Sequence, residues 1–120
     1  MINSQFYKKV SGQNIKIGKY YSFYCKKKIA EIVNKYAVKI ISCNSNIIKK
    51  KYYYKVKIKI ILPKNIGYEA TGKGKLPYDS LNLAILNLRK ILRRHQRKLK
   101  NGDKVNKQVR VLKESFLLFN

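Results

Sequence analysis

Residues 52–62 read YYYKVKIKIIL. Tyr52, Tyr54, Val56, Ile58 and Ile60 alternate with Tyr53, Lys55, Lys57 and Lys59, which is the two-residue period of a strand whose successive side chains point to opposite faces. The sheet that contains this strand therefore has one apolar face and one cationic face. An apolar sheet face must be covered, so the flanking sequence has to supply amphipathic elements that pack on it.

Downstream, Pro63 to Asn65 breaks the strand and IGYEAT at 66–71 can return antiparallel to it. Gly72 and Gly74 then loosen the chain into a loop, GKGKL, that leads to a helix. Pro77 suits the first turn of that helix, and Asn101-Gly102 offers a stop, which predicts about 24 residues and about 36 Å of helix. On a helical wheel Leu81, Ile85, Leu88, Leu92, His95 and Leu99 form an apolar stripe. Arg89, Lys90, Arg93, Arg94, Arg97, Lys98 and Lys100 occupy the opposite half, and Leu83 and Leu86 also point outward.

Upstream, Asn44-Ser45-Asn46 reads as a turn that follows a short β-branched strand at Val38 to Cys43. Before it, Tyr21, Cys25, Ile29, Ile32, Val33 and Tyr36 fall at helical spacing between Gly18 and Tyr36. Phe6 to Val10 is a further strand, followed by a turn at Ser11-Gly12-Gln13-Asn14. The order is β-α-β-β-β-α, an α+β two-layer sandwich with two helices on one face of a four-stranded sheet and a lysine-rich face left open. Residues 1–101 form the domain and 102–120 a tail, whose closing run VRVLKESFLLFN is either a frayed remnant or, as expected here, packs on Leu83 and Leu86.

Charge narrows the function. Twenty-nine Lys and Arg face five acids (Glu31, Glu69, Asp79, Asp103 and Glu114), leaving a formal charge of +24. Such a chain repels itself unless a polyanion neutralises it, and nucleic acid is the leading candidate because phosphate contacts release counterions. A soluble helix usually mixes signs to form i,i+4 pairs, whereas the second helix carries seven cations and only Asp79. Its basic half is thus an RNA-contacting face. Lys55, Lys57 and Lys59 are second-rank RNA contacts, since a half-exposed sheet would place lysines outward in any case. Lys73 and Lys75 can touch phosphate.

Other classes are disfavoured. No apolar run approaches the ~18 residues of a membrane-spanning helix, and the opening MINSQFYKKV lacks the pattern of a secretory or organelle leader. The expected compartment is the cytoplasm. Cys25 and Cys43 form no CxxC and have no second histidine near them, so no metal site is expected, nor any cofactor. His95, the single histidine, lies on the apolar stripe, and so few acids leave little material for a two-carboxylate site. The glycines of TGKGK fail the spacing of a phosphate-binding GxxxxGKS/T loop. No enzymatic activity is expected. Most of the ten tyrosines belong to the core, with Tyr21, Tyr36, Tyr52 and Tyr54 on apolar faces, and Tyr53 is the best candidate for stacking on a base.

SGQNIKIG at 11–18, YEATGKGKLPYDSLN at 68–82 and RKILRRHQRKLKN at 89–101, in that order and spacing, resemble the hibernation-promoting factor and ribosome-associated inhibitor family. The resemblance covers about residues 6–101 and implies a double-stranded-RNA-binding-domain-like fold. It also implies a function without chemistry, in which the protein binds the small ribosomal subunit and its rRNA across the mRNA channel and tRNA sites and competes with mRNA and tRNA. At matched positions Lys28 of the first helix and Lys90, Arg93, Arg94, Arg97 and Lys98 of the second would face ribosomal RNA, and Tyr78 matches the tyrosine that opens the family's second helix.

Lys16, Lys19, Lys26 and Lys27 stand where the family's first helix usually carries acids, and Leu76 and Asn82 where acids are frequent before the second. These departures favour non-specific RNA affinity over patterned recognition. Long members of the family add a C-terminal dimerisation domain; with twenty residues after the second helix, no dedicated dimerisation domain is expected here. The alternative is a constitutive ribosomal protein or general RNA-binding chaperone, which would stay stoichiometric with ribosomes during growth.

Overall fold

The computed structural model describes residues 7–36 and 38–113, with side chains from 8 to 99 apart from Ala37. Strand β1 (Tyr7–Gln13) leads into helix α1 (Lys19–Lys35). Strands β2 (Ser42–Lys49), β3 (Tyr54–Leu62) and β4 (Ile66–Gly74) follow, and helix α2 (Pro77–Lys113) closes the order. The sheet runs β1-β2-β3-β4. β1 and β2 are parallel, joined by α1 as a crossover, while β2–β3 and β3–β4 are antiparallel. Both helices lie on one face, and the α+β two-layer sandwich expected from the pattern is the observed architecture.

Strand β3 is the middle of the core. Val56, Ile58, Ile60 and Leu62 are buried against Cys25, Ile29 and Val33 of α1 and Leu81, Leu88 and Leu92 of α2, all at or near zero exposure. Each such aliphatic side chain contributes about 1.5–3 kcal/mol by leaving water. Lys55, Lys57 and Lys59 point the other way, and the register sets them beside Asn44 and Asn46 of β2 and Glu69, Thr71 and Lys73 of β4.

Several local expectations are corrected. β1 continues through Ser11, Gly12 and Gln13, so the turn expected at 11–14 contracts to Asn14, whose φ of 62° an asparagine tolerates. Asn44-Ser45-Asn46 is not a turn but the middle of β2, which begins at Ser42 rather than Val38. Its polar residues fit because Asn44 and Asn46 lie on the open face, where Ser11 Oγ donates to Asn46 Oδ1 at 3.1 Å. Ser45 tucks beneath the helices opposite Ile58. Tyr52 lies before β3, in the β2–β3 loop, and is exposed rather than core; Leu99 is exposed too.

The glycines of GKG form the end of β4 rather than a loop. A Cβ on Gly72 would come within 2.4 Å of the Ser80 carbonyl and the Ala84 amide nitrogen, and one on Gly74 within 2.9 Å of the Ser80 nitrogen. They are glycine because the α2 backbone lies directly on the strand there, with Ala70 and Ala84 as further small residues at the contact.

α2 also passes the expected stop at Asn101-Gly102 and runs to Lys113. A glycine ends a helix by adopting a left-handed conformation; inside one it costs only about 1 kcal/mol relative to alanine, which a long helix absorbs. The boundary expected at 101–102 therefore falls inside a helix. The packing expected of the closing run at 109–120 on Leu83 and Leu86 lies outside the described side chains. Among the described residues no helix is long and apolar enough to cross a membrane.

Gly72→Ala should lower unfolding free energy by about 1–3 kcal/mol or more, because the added methyl meets backbone that cannot swing aside. Gly67→Ala, whose Cβ would find only ordinary contact with Ile61 at 3.6 Å, should be close to neutral. Denaturant titration of the two variants distinguishes these outcomes.

Candidate nucleic-acid interface

The direction of the basic side chains is set by how α2 is rotated on the sheet. Its stripe of Leu81, Ala84, Leu88 and Leu92 is fully buried. On one flank Asn87 Nδ2 donates to the Thr71 carbonyl of β4 at 2.7 Å; on the other Gln96 Nε2 donates to the Tyr36 carbonyl at the end of α1 at 2.8 Å. Near its start, Ser80 Oγ donates to the Leu76 and Pro77 carbonyls, and the ring of Tyr78 meets those of Tyr21 and Tyr24 edge-on at 5.6 and 5.4 Å. Tyr24 hydroxyl donates to Asn82 Oδ1 at 2.7 Å. These contacts fix the helix about its axis, leaving Arg89, Lys90, Arg93, Arg94, Arg97 and Lys98 exposed.

The six cations fall into three groups. Lys90 and Arg93 point outward from the helix layer, opposite the buried stripe. Arg94, Arg97 and Lys98 border a hollow of about 410 Å³ over Tyr68, Ile91 and His95, on the side of β4. Arg89 faces the groove between the helices, where Lys28 and Lys35 of α1 approach it across Ile32, Ile85 and Leu86. Lys28 is held in that groove by two weak contacts, Glu31 at 3.7 Å and the Tyr24 ring at 5.6 Å. A surface ion pair of this kind contributes about 0–1 kcal/mol, so a phosphate can readily displace Glu31.

Lys55, Lys57, Lys59 and Lys73 occupy the opposite side of the molecule, on the open face of the sheet. The two sets of expected contact residues are thus separated by the thickness of the domain. Lys57 is paired with Glu69 at 3.7 Å, and the Lys73 ammonium lies 5.2 Å from the centre of the Tyr53 ring. Lys9 of β1, across from Asn44, belongs to this face as well. Lys35 and Lys9 are further members of the two surfaces, beyond the expected residues; Lys35, two helical turns after Lys28, is visible in the spacing.

Among the described residues, the titratable groups below the surface carry no reactive pattern. Burial raises both thiols, that of Cys43 to about 12, so neither supplies thiolate at neutral pH. Among the described residues no three of His, Cys, Asp and Glu gather as metal ligands. His95 is buried, with Nδ1 2.9 Å from the Tyr68 hydroxyl. Burial first, and the Lys98 charge second, lower its pKa from the ordinary 6.5. With the ring proton on Nε2, Nδ1 accepts a hydrogen bond from the Tyr68 hydroxyl.

A histidine held neutral in the fold contributes stability that is complete above its unfolded pKa. That stability is lost as pH falls through about 6.5, because the unfolded chain then binds a proton that the folded one resists. Melting temperature should accordingly drop between about pH 7.5 and pH 5.5. His95→Gln should flatten that part of the profile, and an unchanged slope would remove His95 as its source.

The chain matches the family described as sigma 54 modulation protein / S30EA ribosomal protein over residues 9–100. No curated protein matches it in sequence. Among solved structures it is similar to a ribosomal subunit interface protein from Coxiella burnetii, at 16% identity and a TM-score of 0.66, over 78% of this chain and 100% of that one. It is also similar to the N-terminal domain of Protein Y from Thermus thermophilus, again at 16% identity and a TM-score of 0.66, over 76% and 99% of the two chains. At that identity the likeness is one of fold.

Proposed function

Since the chain belongs to the sigma 54 modulation protein / S30EA ribosomal protein family, which also contains the hibernation-promoting factors, we propose that it binds the small ribosomal subunit and silences it by occupancy. In this reading the helix layer docks on ribosomal RNA. The domain then fills the mRNA channel and tRNA-site region, so that mRNA and tRNA are excluded while the protein is bound.

The observation that carries the proposal is the acid-free cationic surface of α2 between Arg89 and Lys98. Between Pro77 and Leu99 the helix holds four arginines and two lysines against Asp79 alone, and Asp79 sits in the first turn, away from them. Arginine presents a planar fork of donors that matches two phosphate oxygens at once, which suits it to a folded RNA backbone better than a point charge. Arg89, Arg93 and Arg97 recur every four residues, covering about 12 Å along the helix at 1.5 Å per residue. The open sheet face is the weaker candidate, because it offers lysines only and one of these is already paired with Glu69.

Docking of this kind is electrostatic and sequence-independent in its larger part. Its mechanism needs no reacting group. The domain has to be rigid, so that it displaces competitors, and its cations have to be held outward, which the bonds from Asn87 and Gln96 achieve. The boundary of the docking unit is proposed at about residue 101, with the remainder of α2 projecting beyond the sheet.

Charge reversal at Arg93, Arg94 and Arg97 together should abolish co-sedimentation with small subunits while leaving the melting temperature within a few degrees of the parent. The parent's affinity should fall steeply with salt, by about 0.9 in the logarithmic slope for each phosphate neutralised. Reversal of Lys55, Lys57 and Lys59 should have the smaller effect. A folded triple-arginine variant that still pellets with the subunit would overturn the assignment of this face.

A further inference from the structure

The hairpin between β2 and β3 ends in a four-residue loop, Lys50 to Tyr53, that neither the helix groove nor the sheet face accounts for. Lys50 N–H donates to the Tyr53 carbonyl at 2.8 Å, and the Lys49–Tyr54 pair closes the ladder beneath it. Residues 49–53 read KKKYY, three cations and two phenols without an acid. The Tyr53 ring is half-buried under the Lys73 ammonium. The Tyr52 ring is 79% exposed, touched by the Lys51 ammonium at 5.5 Å. It packs on no part of the core.

Topology gathers more of the same chemistry at that end of the domain. β1 runs parallel to β2 and leads through residues 14–18 into α1, so the first turns of α1 stand at the end where the hairpin loop lies. There Tyr20 is 84% and Phe23 67% exposed, with Lys19 and Lys26 bordering Phe23 in a shallow hollow. Aromatic rings in water, set among lysines and kept away from acids, suit a partner that has both flat apolar faces and negative charge.

We propose that this end of the domain, centred on Tyr52, is a stacking platform for unpaired bases of single-stranded RNA. A base lies on the Tyr52 ring while Lys49, Lys50 and Lys51 hold the flanking phosphates. Duplex RNA hides its base faces within the stack, so the platform distinguishes strand from helix, whereas the arginines of α2 read phosphates of either. An anionic lipid surface shares the charge but not the shape. The loop has no aliphatic residue to enter a bilayer, and its two tyrosines are flanked by ammonium groups that would have to be dehydrated. The inference rests on the RNA-binding reading above, yet involves different residues and a different form of RNA.

The test uses the full chain, a labelled oligouridylate of about a dozen nucleotides and an RNA duplex of matching length, with affinity read by fluorescence anisotropy. Tyr52→Ala should weaken oligouridylate binding on the order of tenfold, as loss of one stacking platform does, and leave duplex binding unchanged. Tyr52→Phe should bind like the parent. The exposed position keeps both variants folded, which their melting temperatures verify.

Equal loss on both RNAs, no loss on either, or a Tyr52→Phe variant as weak as Tyr52→Ala would overturn the platform. So would a Tyr52→Ala variant that binds oligouridylate normally but no longer floats with anionic vesicles. Failure of ribosome binding is a separate result, since small-subunit sedimentation of the parent chain can fail while the oligouridylate measurement succeeds, and the reverse.

Discussion

The backbone of α2 rests on the backbone of β4 at Gly72, and much else in the molecule depends on that contact. With no side chain between strand and helix, Ser80 and Ala84 settle at the depth that buries Leu81, Leu88 and Leu92 against Val56, Ile58 and Ile60. A larger residue at position 72 would lift the start of α2 off the sheet. The hydrogen bonds from Asn87 and Gln96 reach their carbonyl partners only because the helix lies so low. The glycine contact sets the depth, the two amide side chains set the rotation, and together they decide where the arginines point.

That arrangement lets a strongly charged chain keep a dry core. A formal charge of +24 favours expansion, and the fold answers by keeping its described cations at the surface, with the α2 cations and the sheet lysines on opposite sides of the aliphatic core. Two of the five acids are spent locally, Glu31 beside Lys28 and Glu69 beside Lys57. Weak surface pairs of this sort barely offset the repulsion, so binding to a polyanion does more than any internal contact to relieve it. If the protein binds RNA as proposed, the same surplus of charge that opposes compactness supplies the affinity.

Fold and site were legible in the sequence to different degrees. The alternation of β3 and the wheels of α1 and α2 are long periodic signals, and they led directly to the two-layer architecture. β2 was misplaced because Asn44-Ser45-Asn46 has the chemistry of a turn, while its place in the sheet is granted by neighbours distant in sequence: Ser11, Ile58 and Lys59. The GKG of β4 looked like a loop because the reason for glycine there is a helix that packs on it, and no local pattern announces such a contact. Tyr52 followed the alternation on paper but falls in the hairpin loop once the register is known. The cations of α2 could be read from the wheel; that Lys28 and Lys35 share a groove with Arg89, and that the sheet lysines face the other way, needed the packing of the layers.

If the protein silences the small subunit by occupancy, bound protein and bound mRNA cannot share one subunit, and a competition experiment measures this. Vacant small subunits would be loaded with labelled mRNA and initiator tRNA at low salt while this protein is titrated in, with both ligands followed on the pelleted subunits. Mutual exclusion is expected, with the labels leaving in proportion as the protein arrives and the protein in turn displaced by excess mRNA and tRNA. Subunits that carry the protein, mRNA and tRNA together at saturation would contradict inhibition by occupancy, whatever surface the protein binds with.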